Sequence, residues 1–217
     1  MKTKKIKILI ADDHAVVRAG LKHLIETESD FTVCAEAKDG AEALELFSKL
    51  HPDIAIVDIG MPGMNGLELI KNLKNRSAQF PILVVSMYDE SVYAERVLHA
   101  GAKGYLMKKE SAEKIIDALR KILSGKVYLS ATMSEKILSR MSNAKSAQSS
   151  AVDLLSDREL EVFQMIGRGC KSAQIADELS IGVKTVESYR EQIKLKLQID
   201  RSAELTQYAI GWVHRQQ

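Results

Sequence analysis

Polar side chains that could do chemistry follow four apolar runs of the chain. Asp12 and Asp13 come after the first of these runs, Asp58 after a later one, and Ser86 and Lys108 after two more. Three carboxylates brought together repel one another and need a cation, and oxygen-rich acidic sites suit Mg²⁺. A lysine and a hydroxyl facing the acids could bind an anion. The set therefore suits phosphoryl transfer onto a carboxylate.

These residues can act together only if the apolar runs are strands of one sheet. The run before Asp58, residues 54–57, is unbroken and rich in Ile and Val, which is typical of a strand buried on both faces of a parallel sheet. Ligands bind at the carboxyl edge of such sheets, where an acid ending a strand would lie. Taken alone, Asp58 would be interpreted as a helix cap or a turn residue.

Five units of a strand followed by a helix account for the first part of the chain. Each predicted strand is followed by apolar residues at helical spacing. The strands are predicted at residues 6–11, 32–37, 54–57, 80–87 and 104–107. Uninterrupted alternation predicts a doubly wound α/β fold, with a five-stranded parallel sheet, right-handed crossovers and helices on both faces.

Composition and length indicate an ordinary globular protein of two domains. Of 217 residues, 46% are hydrophobic and 28% are charged. The two cysteines, Cys34 and Cys170, are too few and too far apart for a disulfide framework or a zinc site, which fits a reducing cytosol. The N-terminus lacks a signal-peptide pattern, and apolar stretches fall short of the roughly 20 residues of a membrane span. We expect a cytoplasmic protein with no membrane partner.

A segment poor in large apolar residues separates the two predicted domains. A helix is predicted at residues 131–141, and the Ser- and Ala-rich stretch 142–150 is typical of a flexible tether. We therefore place the first domain at residues 1–125, the linker with its helix at 126–151, and the second domain at 152–217.

The second domain shows only helical patterns, which predicts a small all-α domain. Ser156 with Glu159 three residues on forms a capping box at its first helix. Two later helices joined by the turn 180–182 make a helix-turn-helix, a shape that many helical hairpins share. In the third helix the inward face is predicted to carry Val186, Tyr189, Ile193 and Leu197.

The opposite face of this third helix could enter a DNA major groove. Lysines there could reach phosphates, while Ser and Glu could contact base edges. The residues of this face are Lys184, Glu187, Ser188, Glu191 and Lys194. Charge supports DNA binding only weakly, because residues 152–217 hold nine Lys and Arg against ten Asp and Glu, a net charge of about −1.

The first domain resembles the receiver domain of two-component response regulators. The matching residues are Asp12-Asp13, Asp58 with Met61-Pro62-Gly63, Ser86, and Gly104-Tyr105-Leu106-Met107-Lys108. The resemblance implies that Asp58 is the phosphoacceptor, that Lys108 and Ser86 contact the phosphoryl group, and that Tyr105 is a switch residue. Spacing from Tyr105 selects Lys108 rather than Lys109. The resemblance also implies a flavodoxin-like or CheY-like strand order, 2-1-3-4-5.

A magnesium site and a phosphodonor follow from the same resemblance. Asp13, Asp58 and the carbonyl of Gly60 would hold Mg²⁺, with Asp12 acting mainly through water. His14, next to the acids, is interpreted as a helix-start residue rather than a ligand. The implied phosphodonor is a sensor histidine kinase.

The second domain resembles the LuxR-type helix-turn-helix. The matching residues are Leu155-Ser156, Arg158-Glu159, Glu161-Val162, Gly169, Ile175-Ala176, Leu179, Lys184-Thr185-Val186-Glu187 and Lys196-Leu197. Together the two domains match the NarL/FixJ arrangement of response regulators, which implies binding to double-stranded DNA, with Thr185 among the contacts, and a dimer through the last helix. For Leu205 and Trp212, packing within their own domain is an equal alternative. Gly182 departs from the family's usual Ser, so the bases contacted do not follow.

We predict a transcription factor whose aspartyl phosphorylation at Asp58 controls dimerisation and DNA binding. It would be no enzyme beyond its own phosphoryl transfer and slow dephosphorylation. One alternative is a DNA-binding regulator whose receiver is a docking platform and is never phosphorylated. Another is a Mg²⁺-dependent phosphatase with an aspartate nucleophile, which would need a second acid where Gly60 stands.

Overall fold

In the computed structural model, which describes residues 5–142 and 151–215, the chain divides into two units. The first unit is Met1–Ser142 and the second is Asn143–Gln217. Apart from its first residue, the predicted tether at 142–150 lies outside the described residues. Among the described helices, none has the length and hydropathy needed to cross a membrane.

A five-stranded parallel sheet forms the centre of the first unit. Its strands are β1 (Ile6–Ala11), β2 (Phe31–Ala37), β3 (Ile54–Val57), β4 (Ile82–Ser86) and β5 (Gly104–Met107). Their order in space is β2-β1-β3-β4-β5, the order that the resemblance implied. β3 lies between β1 and β4 and all its residues are buried, which explains its unbroken apolar run. β4 begins later than predicted, because Phe80 closes a turn onto the carbonyl of Ser77.

Five helices follow the strands and cover both faces of the sheet. They are α1 (Ala15–Glu26), α2 (Gly40–Leu50), α3 (Gly66–Arg76), α4 (Glu90–Ala100) and α5 (Ala112–Leu123). α1 and α5 share one apolar core with the sheet, in which Ile8, Ile25 and Leu119 are fully buried. Side-chain caps start three of the others, because Asp39, Asn65 and Asp89 each accept a hydrogen bond from the first turn of their helix. The predicted doubly wound α/β fold is confirmed.

Beyond α5 the chain stays in contact with the first unit. Tyr128 pairs with the edge of β5, since its carbonyl accepts from Tyr105 N–H at 3.0 Å and its N–H donates to Lys103 O at 2.9 Å. α6 then spans Ala131–Ser142 and packs on α4, with Met133 only 2% exposed. The helix predicted inside the linker therefore exists, and its contacts group it with the first unit.

The second unit is helical, as predicted. A 3₁₀ turn at Ala151–Leu154 precedes α7 (Asp157–Gly167), α8 (Ser172–Leu179), α9 (Val183–Leu197) and α10 (Ser202–His214). The predicted capping box is present, because Ser156 and Glu159 each accept a backbone hydrogen bond from the other.

α10 closes the core of the second unit. The Phe163 ring on α7 meets Trp212 edge to face, with 5.6 Å between ring centroids. Leu205 is fully buried and Trp212 is 8% exposed. Both side chains therefore pack within their own unit, which favours that alternative over a dimer contact for these two residues.

Candidate functional site

The carboxyl ends of β1, β3, β4 and β5 bring the predicted residues of the first unit together. Asp12, Asp58 and Ser86 are 2%, 4% and 1% exposed. Lys108 Nζ lies 2.7 Å from Asp58 Oδ2 and 2.7 Å from Asp12 Oδ2, so one ammonium group joins two buried carboxylates. The backbone holds it there, since Lys108 N–H donates to Ser86 O at 2.8 Å.

The Asp58 carboxylate is held in one orientation by three hydrogen bonds. Its Oδ1 accepts from the Ser86 hydroxyl at 2.6 Å and from the Ile59 backbone N–H at 2.7 Å. Its Oδ2 accepts from Lys108 Nζ. A cation and a hydroxyl therefore already surround the oxygens to which a phosphoryl group would be attached.

Asp13 carries the observation that points to a metal ion. Its Oδ1 is buried and accepts no hydrogen bond from any described residue, although His14 Nδ1 lies 2.7 Å away. Ligand atoms of Asp12, Asp13, His14 and Asp58 all lie within 4.8 Å of one another. A divalent cation would give Asp13 Oδ1 a further partner and offset the repulsion between the acids, so the carboxylates here fit Mg²⁺.

His14 and Gly60 also bear on the metal prediction. His14 directly precedes α1, but its side chain makes no capping hydrogen bond and is 63% exposed. Its imidazole lies among the possible metal ligands, whereas the sequence interpretation had assigned His14 only to the start of the helix. Gly60 lies in the loop two residues after Asp58, and the role of its carbonyl stays a prediction.

Burial and charge shift two pKa values in the site. Burial raises the pKa of Asp12, helped by the nearby Asp58 charge and opposed by the hydrogen bond from Lys108. Burial alone would lower the pKa of Lys108, but attraction to Asp58 and Asp12 outweighs it, and the pKa of Lys108 is raised. Lys108 therefore stays a cation. One positive charge does not neutralise three carboxylates, so the site would still attract a divalent cation.

Tyr105 connects β5 to the loop that follows Ser86. Its ring is 1% exposed and its hydroxyl donates to the Tyr88 carbonyl at 2.8 Å. Burial raises the pKa of Tyr105, so the hydroxyl stays protonated and able to donate. A Cβ on Gly60 would meet the Tyr88 ring at 3.3 Å, so this loop also lies against the loop after Asp58.

Sequence reasoning missed two residues that position the acids. A Cβ on Gly66 would lie 2.1 Å from the Asp58 carbonyl oxygen, so only glycine lets α3 start this close to the loop after β3. The pair Asn65-Gly66 before an apolar helix was the available signal for a tight approach. Arg18 on α1 donates to the Asp12 carbonyl at 2.7 Å, which no local pattern indicated.

In the second unit, α9 presents most of its predicted DNA-contacting face to solvent. Of the predicted inward face, Val186 and Ile193 are fully buried, whereas Tyr189 and Leu197 are half-buried. The exposed residues are Lys184, Thr185, Glu187, Ser188 and Glu191. Lys194 differs, because its side chain is only 15% exposed and its Nζ pairs with Glu191 at 2.9 Å. The ion pair holds the Lys194 ammonium group beside Glu191, one turn earlier on α9.

Comparison with known proteins assigns both units to families. Residues 8–120 match the response regulator receiver domain, and residues 153–209 match the luxR family of bacterial regulatory proteins. The oxygen regulatory protein NreC of Staphylococcus haemolyticus is 35% identical over 210 residues, which are 94% of this chain and 97% of NreC. The chain belongs to the NarL/FixJ family of response regulators.

Solved structures agree with this assignment. The response regulator ChrA, from a heme-sensing two-component system, is 32% identical over 96% of this chain and 98% of ChrA, with a TM-score of 0.52. A complex of the response regulator RcsB with DNA gives 25% identity over 94% of this chain and 98% of RcsB, with a TM-score of 0.58. The chain is therefore a two-component regulator that joins a receiver domain to a LuxR-type DNA-binding domain. Its family consists of regulators rather than classical enzymes.

Proposed function

We propose that this response regulator is switched by phosphorylation of Asp58 and, once phosphorylated, binds double-stranded DNA as a homodimer. The proposal is carried by the surroundings of Asp58, whose carboxylate meets Lys108 Nζ at 2.7 Å and the Ser86 hydroxyl at 2.6 Å at the open edge of the sheet. The receiver match implies a sensor histidine kinase as phosphodonor.

Each residue of the site has a part in this transfer. An Asp58 carboxylate oxygen attacks the phosphorus of a phosphohistidine whose other ring nitrogen already carries a proton, the P–N bond breaks, and the histidine leaves as a neutral imidazole. Lys108 neutralises one phosphoryl oxygen, and the Ser86 hydroxyl donates to another. Asp13, Asp58 and the Gly60 carbonyl, with Asp12 through water, would hold Mg²⁺, which supplies charge neutralisation for the phosphoryl group. Slow attack by water on the acyl phosphate resets the switch.

The loop between β4 and α4 is the element that carries the change onward. When the Ser86 hydroxyl turns to a phosphoryl oxygen, it gives up its bond to Asp58 Oδ1. Tyr88 lies two residues further on and its carbonyl is held by the Tyr105 hydroxyl. A shift of this loop therefore changes the position of the Tyr105 side chain and of the first residues of α4.

We further propose that residues 1–125 act as the receiver, that 126–151 connect the parts, and that 152–217 bind DNA. On α9 the lysines Lys184 and Lys194 would contact phosphates. Thr185, Glu187, Ser188 and Glu191 would contact base edges. For Lys194 this requires release of its ion pair with Glu191. Because the proposed target is chromosomal DNA, action would be cytoplasmic.

Incubation with acetyl phosphate and Mg²⁺, beside an Asp58→Ala control, tests the switch. Intact mass spectrometry should show one phosphoryl group on the wild type and none on the variant. Chromatography and DNA selection should then show a dimer and stronger DNA binding only after labelling. Label on the Asp58→Ala protein would refute the assignment of the acceptor. No label at all, with DNA binding intact, would favour the docking-platform alternative.

A further inference from the structure

The helix α6 takes part of its N-terminal cap from another helix. Ser130 directly precedes α6, and its hydroxyl accepts from the Met133 N–H at 3.1 Å, as the side chain of an N-cap residue does. In a capping box the residue at the position of Met133 is Glu or Gln, which accepts in turn from the N-cap N–H. Met133 has no oxygen in its side chain. The Ser130 N–H instead donates to Glu90 Oε1 at 2.9 Å, so α4 supplies the missing acceptor.

Glu90 lies where one carboxylate can serve two helices. It is the first residue of α4, so its negative charge lies at the positive end of the α4 dipole and, through Ser130, at that of α6. A second contact joins the same two helices, since Lys136 Nζ donates to Ser91 O at 3.2 Å. The shared cap and this ammonium contact are therefore the polar ties that hold the first turns of α6 on α4.

The two partners of the shared cap are attached to different parts of the first unit. Ser130 comes two residues after Tyr128, whose backbone makes two hydrogen bonds with the edge of β5, at 2.9 and 3.0 Å. A Cβ on Gly104 would lie 2.9 Å from the Tyr128 carbonyl oxygen, so this approach requires glycine. Glu90 instead follows the loop after β4, four residues beyond Ser86. Ser130 is thus fixed to the sheet, whereas Glu90 would move with the loop.

We infer that α6 is a switch element whose cap is released when Asp58 is phosphorylated, an inference that rests on the proposed function. An N–H···O hydrogen bond has an N···O distance of about 2.7–3.2 Å, so moving the start of α4 by about 1 Å relative to Tyr128 breaks the bond from Ser130 to Glu90. Without this acceptor the first turn of α6 is destabilised and frays. Once released, α6 adds its residues to the segment that connects the two units.

Hydrogen exchange of the α6 backbone amides, measured by mass spectrometry on the full chain, tests the cap without a phosphodonor. Glu90→Ala should speed exchange about fivefold, the effect of losing one hydrogen bond. Glu113→Ala is the matched control, because Glu113 is an exposed acid in the first turn of α5. Lys136→Met removes the second tie, leaves α4 intact and should also speed exchange, so it decides if Glu90→Ala does not fold. Exchange at the control rate overturns the inference.

The same measurement after labelling with acetyl phosphate and Mg²⁺ tests the switch. Exchange of wild-type α6 should rise to the rate of unlabelled Glu90→Ala, and labelling of that variant should raise it no further. A cap with a merely structural role would leave the wild-type rate unchanged by the label. That result overturns the inference while the proposed function stands. Failure of Asp58 to take the label, seen by intact mass, refutes the proposed function and the switch with it.

Coupling between α6 and the phosphoryl site must be reciprocal. Beryllofluoride with Mg²⁺ binds reversibly in place of a phosphoryl group, so its affinity, measured by calorimetry, reports this coupling at equilibrium. Lys136→Met should bind it several-fold more tightly than the wild type, because α6 is already loosened. Loss of a positive charge would by itself weaken the binding of an anion, so tighter binding identifies the release of α6. Equal or weaker binding overturns the inference.

Discussion

At the scale of single residues, Lys108 sets the electrostatics of the acidic site. It is the one ammonium group within 2.7 Å of both Asp12 and Asp58 among the described residues, and its side chain is 8% exposed. A buried carboxylate that loses its partner is far costlier than an exposed one, because water no longer compensates. We therefore expect the stability of the first unit, and the proposed metal binding and phosphoryl transfer, to depend on this side chain.

Replacing Lys108 with Gln should destabilise the first unit by about 3–5 kcal/mol in the absence of metal, because two buried carboxylates lose their cation. Mg²⁺ should recover more stability in the variant than in the wild type, since the metal then neutralises acids that Lys108 no longer does. Urea unfolding with and without Mg²⁺ measures both effects. Lys109→Gln is the matched control, because Lys109 is exposed. An equal loss in the two variants would contradict the assignment of Lys108.

Gly66 sets the distance between α3 and the loop that holds Asp58, the proposed phosphoacceptor. Gly66→Ala would place a methyl group 2.1 Å from the Asp58 carbonyl oxygen and 2.7 Å from Ile59 Cα, so the backbone must shift. We expect a loss of about 1–3 kcal/mol, typical of overpacking, and slower labelling by acetyl phosphate. Gly20→Ala in α1 meets nothing within 4 Å and should be neutral or stabilising by up to about 1 kcal/mol. Labelling of Gly66→Ala at the wild-type rate would show that the close approach is dispensable.

At the scale of elements, one carboxylate joins α7 to α9 in the second unit. Glu159 Oε2 accepts from the Ser156 N–H at 2.6 Å, which caps α7, and from Lys196 Nζ at 2.7 Å, near the end of α9. The helix proposed to enter the groove is thereby fixed to the first helix of its domain. Loss of this contact should loosen α9 as well as the cap.

The pH dependence of the second unit should show this contact. Burial pushes the pKa of Glu159 up, but hydrogen bonds from Lys196 and the Ser156 backbone outweigh it, and the pKa lies below its ordinary value of 4.5. A lowered folded-state pKa means that the contribution to stability is complete above about pH 4.5 and is lost as the pH falls through the folded value.

Glu159→Gln should therefore cost about 1–2 kcal/mol at pH 7, a reduced figure because the Lys196 side chain is 36% exposed and water screens it. The difference from wild type should shrink as the pH falls below 4.5. Fluorescence of Trp212, the single tryptophan of the chain, follows urea unfolding of the second unit. Glu178→Gln, an exposed acid on α8, serves as control. A pH-independent difference would mean that charge at Glu159 does not contribute.

At the scale of the whole molecule, the connecting segment is part of the first unit up to Ser142. Besides the pairing of Tyr128 with β5, the Ser130 N–H donates to Glu90 Oε1 at 2.9 Å and Lys136 Nζ to Ser91 O at 3.2 Å. Glu90 and Ser91 begin α4, directly after the loop proposed to move on phosphorylation. The segment that follows α5 is thereby attached to α4, the element nearest the proposed switch.

A fragment of residues 1–142 should be more stable than one of residues 1–125. Met133 is 2% exposed, and loss of a buried side chain of this size costs about 2–5 kcal/mol, with the hydrogen bonds of Tyr128 in addition. Urea unfolding of the two fragments, followed by circular dichroism, measures the difference. Equal midpoints would place the end of the folded receiver at residue 125, where the sequence interpretation put it.

The sequence by itself determined which elements form and where the reactive groups stand on them. The unbroken run 54–57 indicated a central strand, the spacing of Val186 and Ile193 indicated the buried side of α9, and the capping box marked the start of α7. These features depend on local periodicity and local hydrogen bonding, both of which are determined by residues close together in the sequence. Motifs at the strand ends, together with those of the helix-turn-helix, were enough to identify the family.

Only the tertiary structure decided how groups from distant parts of the chain meet. It showed that Lys108 joins Asp58 to Asp12, that Asp13 Oδ1 accepts no hydrogen bond from the described residues, and that α6 packs on α4. Periodicity tells which side of a helix or strand is buried, but the atom that lies opposite depends on the packing of elements far apart in sequence. Such contacts follow from three-dimensional packing, so no local pattern encodes them.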